Sequence, residues 1–435
     1  MSVPLKPPKA GIDYLPHQEE GVRWMLSRED VGAAACRGGI LADDMGLGKT
    51  YQTIGLLRNS PFNYRTLILC PPALLSGWTQ ELRGISNIFL ASYNRAHLHV
   101  KDYCGFDRVI LDEGHVIRNG LATKRWRSWI RISLKAKCRW ILSATPVQNG
   151  HRDWENLCKW LHVRSKDLSS VAPTIMLRRT MEDLRISMRD SLPPAPAFIR
   201  HGLEIGTTTE EGVLFRSLTD QLADKMDSAH VSTFLKLELY MRVQQFLVHP
   251  QIYIDSMRTK FKGAYPRPDW TGTTTKFTAV VQELAASKEP TIIFCNFRSE
   301  MDRIAAAAVD MGRKVWSVRG GMGSDAVGAA VAEARASPSE GVVVVVQIVA
   351  GGAGINLQFC TRILFLSQHW NPAVVHQAVG RAVRIGQRIS VPVHLFVVDD
   401  PVSDNIDLRM AQLHQSKIAA AKVICPSLFA GAYSA

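Results

Sequence analysis

The chain has 435 residues, room for two or three ordinary domains, and its 46% hydrophobic share excludes wholesale disorder. Lysine and arginine number 52 against 39 aspartates and glutamates, and the net charge of +13 favours a polyanionic partner. Apolar runs such as Val342–Val346 are too short to span a membrane, MSVPLKPPKA lacks a secretory core, and the eight cysteines form no C-x-x-C pair. Membrane proteins, disulfide scaffolds and cysteine-ligated zinc modules are therefore set aside, and a soluble, intracellular protein is expected.

In chain order, β-type apolar runs alternate with helical stretches, the pattern of mainly parallel sheets flanked by helices. The segment LADDMGLGKT (41–50) comes first. Gly46 and Gly48 let backbone N–H groups approach phosphate oxygens where a helix begins. Lys49 would reach the β- and γ-phosphates of ATP, and the Thr50 hydroxyl would bind Mg2+. The general phosphate-loop pattern has glycine five residues before Gly48; here Asp43 stands there.

Strands are predicted over Thr66–Cys70 and Arg108–Leu111, the second ending in Asp112 and Glu113. One such carboxylate can hold the magnesium shell while its neighbour orients and deprotonates an attacking water. From Gly114 through Arg152 there is no Asp or Glu. Within that stretch Trp126, Trp129 and Ile130 fall at helical i, i+3, i+4 spacing, which assigns them to the core and leaves the interleaved cations outward. A strand over Trp140–Ser143 leads into ILSATP (141–146).

The prolines of SLPPAPA (191–197) suit an extended hinge, and a largely helical segment follows over roughly 209–250. The second half offers strands over Thr291–Cys295, Val342–Gln347, Arg362–Leu366 and Val393–Val397. It closes with AGGAGINL (350–357) and QAVGRAVRIGQ (377–387). Arg381 and Arg384, three residues apart, would share one side of a helix, and Gln377 and Gln387 offer neutral hydrogen bonding nearby. A positioned arginine stabilises charge on a transferring γ-phosphoryl by about 10³–10⁵ in rate. The sum is ATP hydrolysis between two α/β lobes.

At these residues the chain resembles the Swi/Snf-type ATPases, the chromatin-remodelling and DNA-repair branch of superfamily-two helicases, over about residues 12–420. YLPHQEEGVRWML (14–26) resembles that family's glutamine motif, which implies adenine recognition by Gln18. The family also carries aspartate at the Asp43 position, whereas Asp44 replaces its usual glutamate. LILCPPALLSGWTQEL, LDEGHVIRN, SATPVQNG, IMLRRTMEDL, QQFLVHP, TIIFCNF, HWNP and GRAVRIGQ continue the likeness; LDEGHVIRN, MLRRT and RIGQ are its most specific parts. Val383 departs from it, standing where the family has histidine.

The resemblance implies two RecA-like lobes with a short helical insertion: an ATP-binding lobe over 1–192, linker and insertion over 193–270, a second lobe over 271–420 and a tail over 421–435. It implies ATP and Mg2+ as cofactors, with Gln18, Asp43, Gly46, Gly48, Lys49, Thr50 and Gln377 at the nucleotide and Thr50 and Asp112 at the metal. Lys49, Asp112, Glu113, Arg381 and Arg384 would carry catalysis, and His115, Ser143 and Thr145 coupling. Ser76, Trp78, Ser92 and Tyr93 in the first lobe, and Asn356 and Trp370 in the second, would contact DNA.

The implied activity is a monomeric, DNA-dependent ATPase that tracks along double-stranded DNA and remodels nucleosomes, other DNA-bound proteins or DNA structures. It would act in a eukaryotic nucleus, or otherwise in a cytoplasm or at a viral replication site. A strand-separating helicase, and a nucleotide-gated DNA-binding scaffold with little turnover, are the alternatives; Val383 is the scaffold's only support.

Overall fold

In the computed structural model the described residues are 4–32, 37–148, 150–165, 170–188, 191–227, 232–337, 340–351, 355–399 and 406–424. Residues 352–354 of AGGAGINL, Asn149 of SATPVQNG and the tail beyond 424 lie outside them.

Six strands build the first sheet: β1 (Gly38–Leu41), β2 (Thr66–Cys70), β3 (Ile88–Ser92), β4 (Arg108–Asp112), β5 (Cys138–Leu142) and β6 (Met176–Leu177). Their order is β3-β2-β4-β5-β1-β6, and every pairing is parallel. The second sheet holds β7 (Ala197–Leu203), β8 (Thr291–Cys295), β9 (Lys314–Val318), β10 (Val342–Gln347), β11 (Arg362–Phe365) and β12 (Pro392–Val398). It runs β7-β12-β11-β8-β10-β9, again all parallel.

Alternation along each strand divides every core into two faces. In the first lobe Ile40, Leu67, Leu69, Val109, Leu111 and Ile141 pack on one side. Their chain neighbours Leu41, Ile68, Cys70, Ile110, Trp140 and Leu142 pack on the other. Helices cover both faces, so these strands read as unbroken apolar runs. Trp126 and Trp129 are buried in the first-lobe core and Ile130 packs against it, as their spacing requires.

The hinge expectation needs one correction. Residues 191–196 leave the first lobe, but the chain then enters β7, an edge strand that pairs with β12 along its whole length. The second sheet therefore begins inside the stretch expected to link the lobes. The insertion that follows is three helices, Glu210–Asp227, Thr233–Val248 and Pro250–Lys260.

The last helix, Ile406–Lys422, touches all parts of the molecule. Asp407 forms a buried ion pair with Lys276 at 2.7 Å, Met410 joins the insertion's core, and His414 Nε2 lies 2.8 Å from the His369 carbonyl. Ala421 and Ile424, expected as tail, are buried in the first-lobe core. Among the described residues no helix is long and apolar enough to cross a membrane.

Candidate functional site

The sheet order sets the carboxyl ends of β1, β5 and β4 side by side. Three loops, LADDMGLGKT, SATPVQ and DEGH, therefore meet at one rim, where ligands bind in open parallel sheets. Gly46 and Gly48 adopt left-handed φ values of 84° and 82°, and the helix Lys49–Asn59 starts immediately after them. A side chain at Gly48 would come within 2.3 Å of the Gln18 amide nitrogen. Lys49 Nζ donates to the carbonyls of Asp43 (2.7 Å) and Asp44 (3.2 Å). Burial lowers its pKa, while Glu113 and the loop aspartates pull the other way. Thr50 is the second residue of that helix.

Asp43 is corrected as a side-chain ligand of the nucleotide. Its carboxylate, fully buried, accepts from Arg179 Nε (3.0 Å) and Nη2 (2.6 Å) and from Gln52 Nε2 (2.9 Å). Asp44 is held likewise by Arg178 at 2.8 Å, and Arg178 also donates to the carbonyls of Ala42 and Ala144. The adjacent arginines of MLRRT thus anchor the adjacent aspartates of the phosphate loop and tie them to the loop after β5. Sequence reasoning marked MLRRT without a role; two arginines answering two aspartates was the available signal. Gln18 is buried, accepts from the Leu15 amide at 3.2 Å and donates to the Leu47 carbonyl at 3.3 Å, so it couples its own helix to the phosphate loop.

At the end of β4, Asp112 Oδ2 accepts from Trp78 Nε1 at 2.8 Å, and Oδ1 from the Glu113 amide at 3.0 Å. Burial, reinforced by Glu113, pushes the Asp112 carboxyl up to about 6. Glu113 takes a left-handed φ of 52°, and its carboxylate lies 3.3 Å from His115 Nδ1. Burial would raise its pKa, but His115, Lys49 and Arg381 together hold it below the usual value. A buried, hydrogen-bonded carboxylate with a raised pKa, beside a lysine and a helix start carrying a hydroxyl, fits a divalent cation with phosphate.

Three expected DNA contacts in the first lobe are corrected. Trp78 and Tyr93 are buried, the indole beneath Asp112 and the phenol donating to the Asp112 carbonyl at 2.7 Å. Ser92 caps the helix Tyr93–Leu98 by accepting from the Arg95 amide. Trp78 and Tyr93 thus support the carboxylate loop. Ser76 and Asn356 are exposed, and Trp370 is 51% exposed with Lys417 Nζ 4.0 Å above its ring.

A chain of contacts leaves Glu113 for the second lobe. His115 Nδ1 lies 3.1 Å from Ser143 Oγ, which accepts from the Thr145 amide at 3.2 Å. Thr145 Oγ1 accepts from Gln377 Nε2 at 3.3 Å. Gln377, expected at the nucleotide, makes an interlobe bond here. Asn371 makes a second one: Oδ1 caps the helix Pro372–Val379 and Nδ2 donates to Gln148 Oε1 at 2.8 Å.

Arg381 and Arg384 follow that helix in turns rather than lying on it. Arg381 is 2% exposed; burial lowers its pKa while Glu113 and Asp112 raise it. Arg384 donates to the Gly380 carbonyl at 2.7 Å, and its Cα would lie 3.3 Å from a Cβ at Gly46. Burial, then Arg381, brings its pKa down to about 9. His376, which sequence reasoning passed over, is half-buried within electrostatic reach of Asp44, Arg178 and Lys49. Lys49, Asp112, Glu113, Arg381 and Arg384 therefore converge on one cleft from both lobes. Val383 is not part of it: its side chain is buried in the second-lobe core.

Residues 17–87 and 83–171 match the family model described as "SNF2-related domain", and residues 275–386 that described as "Helicase conserved C-terminal domain". The "Probable global transactivator" of Orgyia pseudotsugata multicapsid polyhedrosis virus is 25% identical over 89% of this chain and 87% of its own length. An ISWI chromatin-remodeling complex ATPase of Arabidopsis thaliana is 24% identical over 90% of this chain and 41% of its own. The mouse SWI/SNF-related matrix-associated actin-dependent regulator of chromatin subfamily A member 1 is 25% identical over 90% and 42% respectively. The chain thus spans most of the viral relative but less than half of the two remodelling relatives.

Proposed function

The chain belongs to the SNF2-type helicase-like ATPases, and we propose that it hydrolyses ATP to move along double-stranded DNA, remodelling nucleosomes, other DNA-bound proteins or DNA structures. One observation carries this reading: Lys49, Asp112 and Glu113 of the first lobe face Arg381 and Arg384 of the second. Lys49 and the amides at the start of its helix bind the phosphates, and Glu113 orients and deprotonates the attacking water. Arg381 and Arg384 neutralise charge developing on the γ-phosphoryl. Thr50 and Asp112 are the groups that would hold Mg2+, which would supply positive charge to neutralise the phosphates. Because the site is complete only while the lobes are together, hydrolysis is linked to their separation and to alternating grip on a phosphate track.

The net charge of +13 suits such a track, and contacts to phosphate carry no sequence preference. Ser76, Asn356 and Trp370 are the expected contacts whose exposure is compatible with it. The burial of Val383 removes the sequence-based support for a scaffold without turnover, since its side chain does not enter the cleft. The reading includes a monomer, acting in a nucleus if the source is a eukaryotic cell and otherwise in a cytoplasm or at a viral replication site.

The test compares ATPase rates with duplex, single-stranded and branched DNA and with RNA at one stated salt concentration, for wild type and Lys49→Ala. Duplex stimulation that Lys49→Ala abolishes is expected, without strand displacement on tailed or blunt substrates. A DNA-independent rate, or an active Lys49→Ala, overturns the reading, and efficient displacement selects the helicase alternative.

A further inference from the structure

Far from the nucleotide cleft, three side chains with lone pairs converge beside the edge strand of the second sheet. His201 comes from β7, His394 from β12 and Glu283 from the helix Thr275–Ala285. His201 Nε2 lies 2.9 Å from His394 Nδ1, and His394 Nδ1 lies 3.3 Å from Glu283 Oε1. The three ligating atoms all fall within 4.8 Å of one another. Around a tetrahedral ion with bonds of about 2.0–2.2 Å, neighbouring ligand atoms stand roughly 3.3 Å apart. From this geometry we propose a zinc site with His201, His394 and Glu283 as protein ligands and a fourth position open to solvent.

Without a metal, one ring N–H bridges the two facing imidazole nitrogens and Arg362 donates to Glu283; a divalent ion would instead take the lone pairs of His201 Nε2, His394 Nδ1 and the Glu283 carboxylate together. Two imidazoles and one carboxylate with an open fourth position are a donor set that zinc takes. The rings are also fixed before any ion arrives: His201 stacks on Phe396 at 4.6 Å and lies nearly parallel to His394.

Arg362 works in both directions. Its guanidinium donates to Glu283, the outer partner that holds a ligating carboxylate in place, while its charge opposes a cation. Its Nε also lies 3.4 Å from His394 Nε2. Coordination through Nδ1 puts the ring proton on Nε2, so this contact opens and Arg362 keeps Glu283. The ion would join the edge strand, its neighbour β12 and the helix that follows the insertion, a structural role separate from ATP hydrolysis.

The full chain, purified without a histidine tag and stripped with chelator, is titrated with zinc chloride by calorimetry and then melted with and without the metal. Cobalt substitution reports the coordination geometry by visible absorption. One zinc per chain, a raised melting temperature and a four-coordinate cobalt spectrum are expected. Glu283→Gln and His201→Phe, the second retaining the stack on Phe396, should each weaken zinc binding at least tenfold. Both should melt cooperatively in chelator, which separates lost ligation from misfolding. Absence of stoichiometric zinc binding by wild type, or equal binding by the two folded variants, overturns the proposal.

Discussion

Trp78 sets the charge state of the carboxylate that the cleft depends on. Its indole N–H bonds the ionised form of Asp112 and so opposes the upward push of burial and of Glu113. Asp112 must be ionised to hold a cation, so ATPase activity should fall as pH drops through about 6. Trp78→Phe keeps the apolar packing but removes the donor, and should move that acidic limb to higher pH in a pH–rate profile. The same shift has a stability consequence of known sign. Between the ordinary 3.8 and about 6 the folded chain keeps a proton that the unfolded chain releases, so this group's contribution falls as pH rises through that window. Arg381 acts at the same scale. Arg381→Ala should lower single-turnover hydrolysis by about 10³–10⁵ while ATP affinity changes far less, because the arginine acts on charge that develops in the transition state.

At the scale of elements, the phosphate loop is held by a partner distant in sequence. The Asp43–Arg179 pair buries both charges where β1 and β6 end, with Gln52 satisfying a further lone pair. Removing one partner strands the other charge, and either Asp43→Ala or Arg179→Ala should cost about 3–5 kcal/mol of unfolding free energy. The double variant should cost well below the sum of the singles in denaturant titrations, since no lone charge is left. The element pattern was readable where strands are covered on both faces: Thr66–Cys70, Thr291–Cys295 and Val342–Gln347 are strands at the boundaries their apolar runs imply. It failed where burial is one-sided or the strand is short. β7 (AFIRHGL) has no fully buried residue, lies at an edge and follows prolines, so it fell within the expected linker; β6 has two residues and carries no period.

At the scale of the whole molecule, the final helix spans what the cleft divides. Lys276–Asp407 fixes its start on the second lobe, while Ala421 and Ile424 enter the first-lobe core. Together with Asn371–Gln148 and Gln377–Thr145, it holds the lobes in the arrangement that brings Arg381 to Glu113. Ala421→Glu places a charge in that core and should detach the helix end. A larger radius of gyration in small-angle scattering and a lower ATPase rate are expected, with the second lobe still folded. An unchanged radius would show that the helix does not brace the lobes.

The sequence by itself determined the chemistry and its order: a glycine-rich loop with Lys49 and Thr50, a strand ending in Asp112 and Glu113, and the arginines 381 and 384. Those signals are local, because each motif needs only its own backbone geometry and residue types. Tertiary structure decided which side chain each group serves. It turned Asp43 toward Arg179, Trp78 and Tyr93 beneath Asp112, Gln377 toward Thr145 and Val383 into the core. Each of those outcomes depends on partners many residues away, and only packing of the sheets and closure of the lobes brings them within hydrogen-bonding or van der Waals reach.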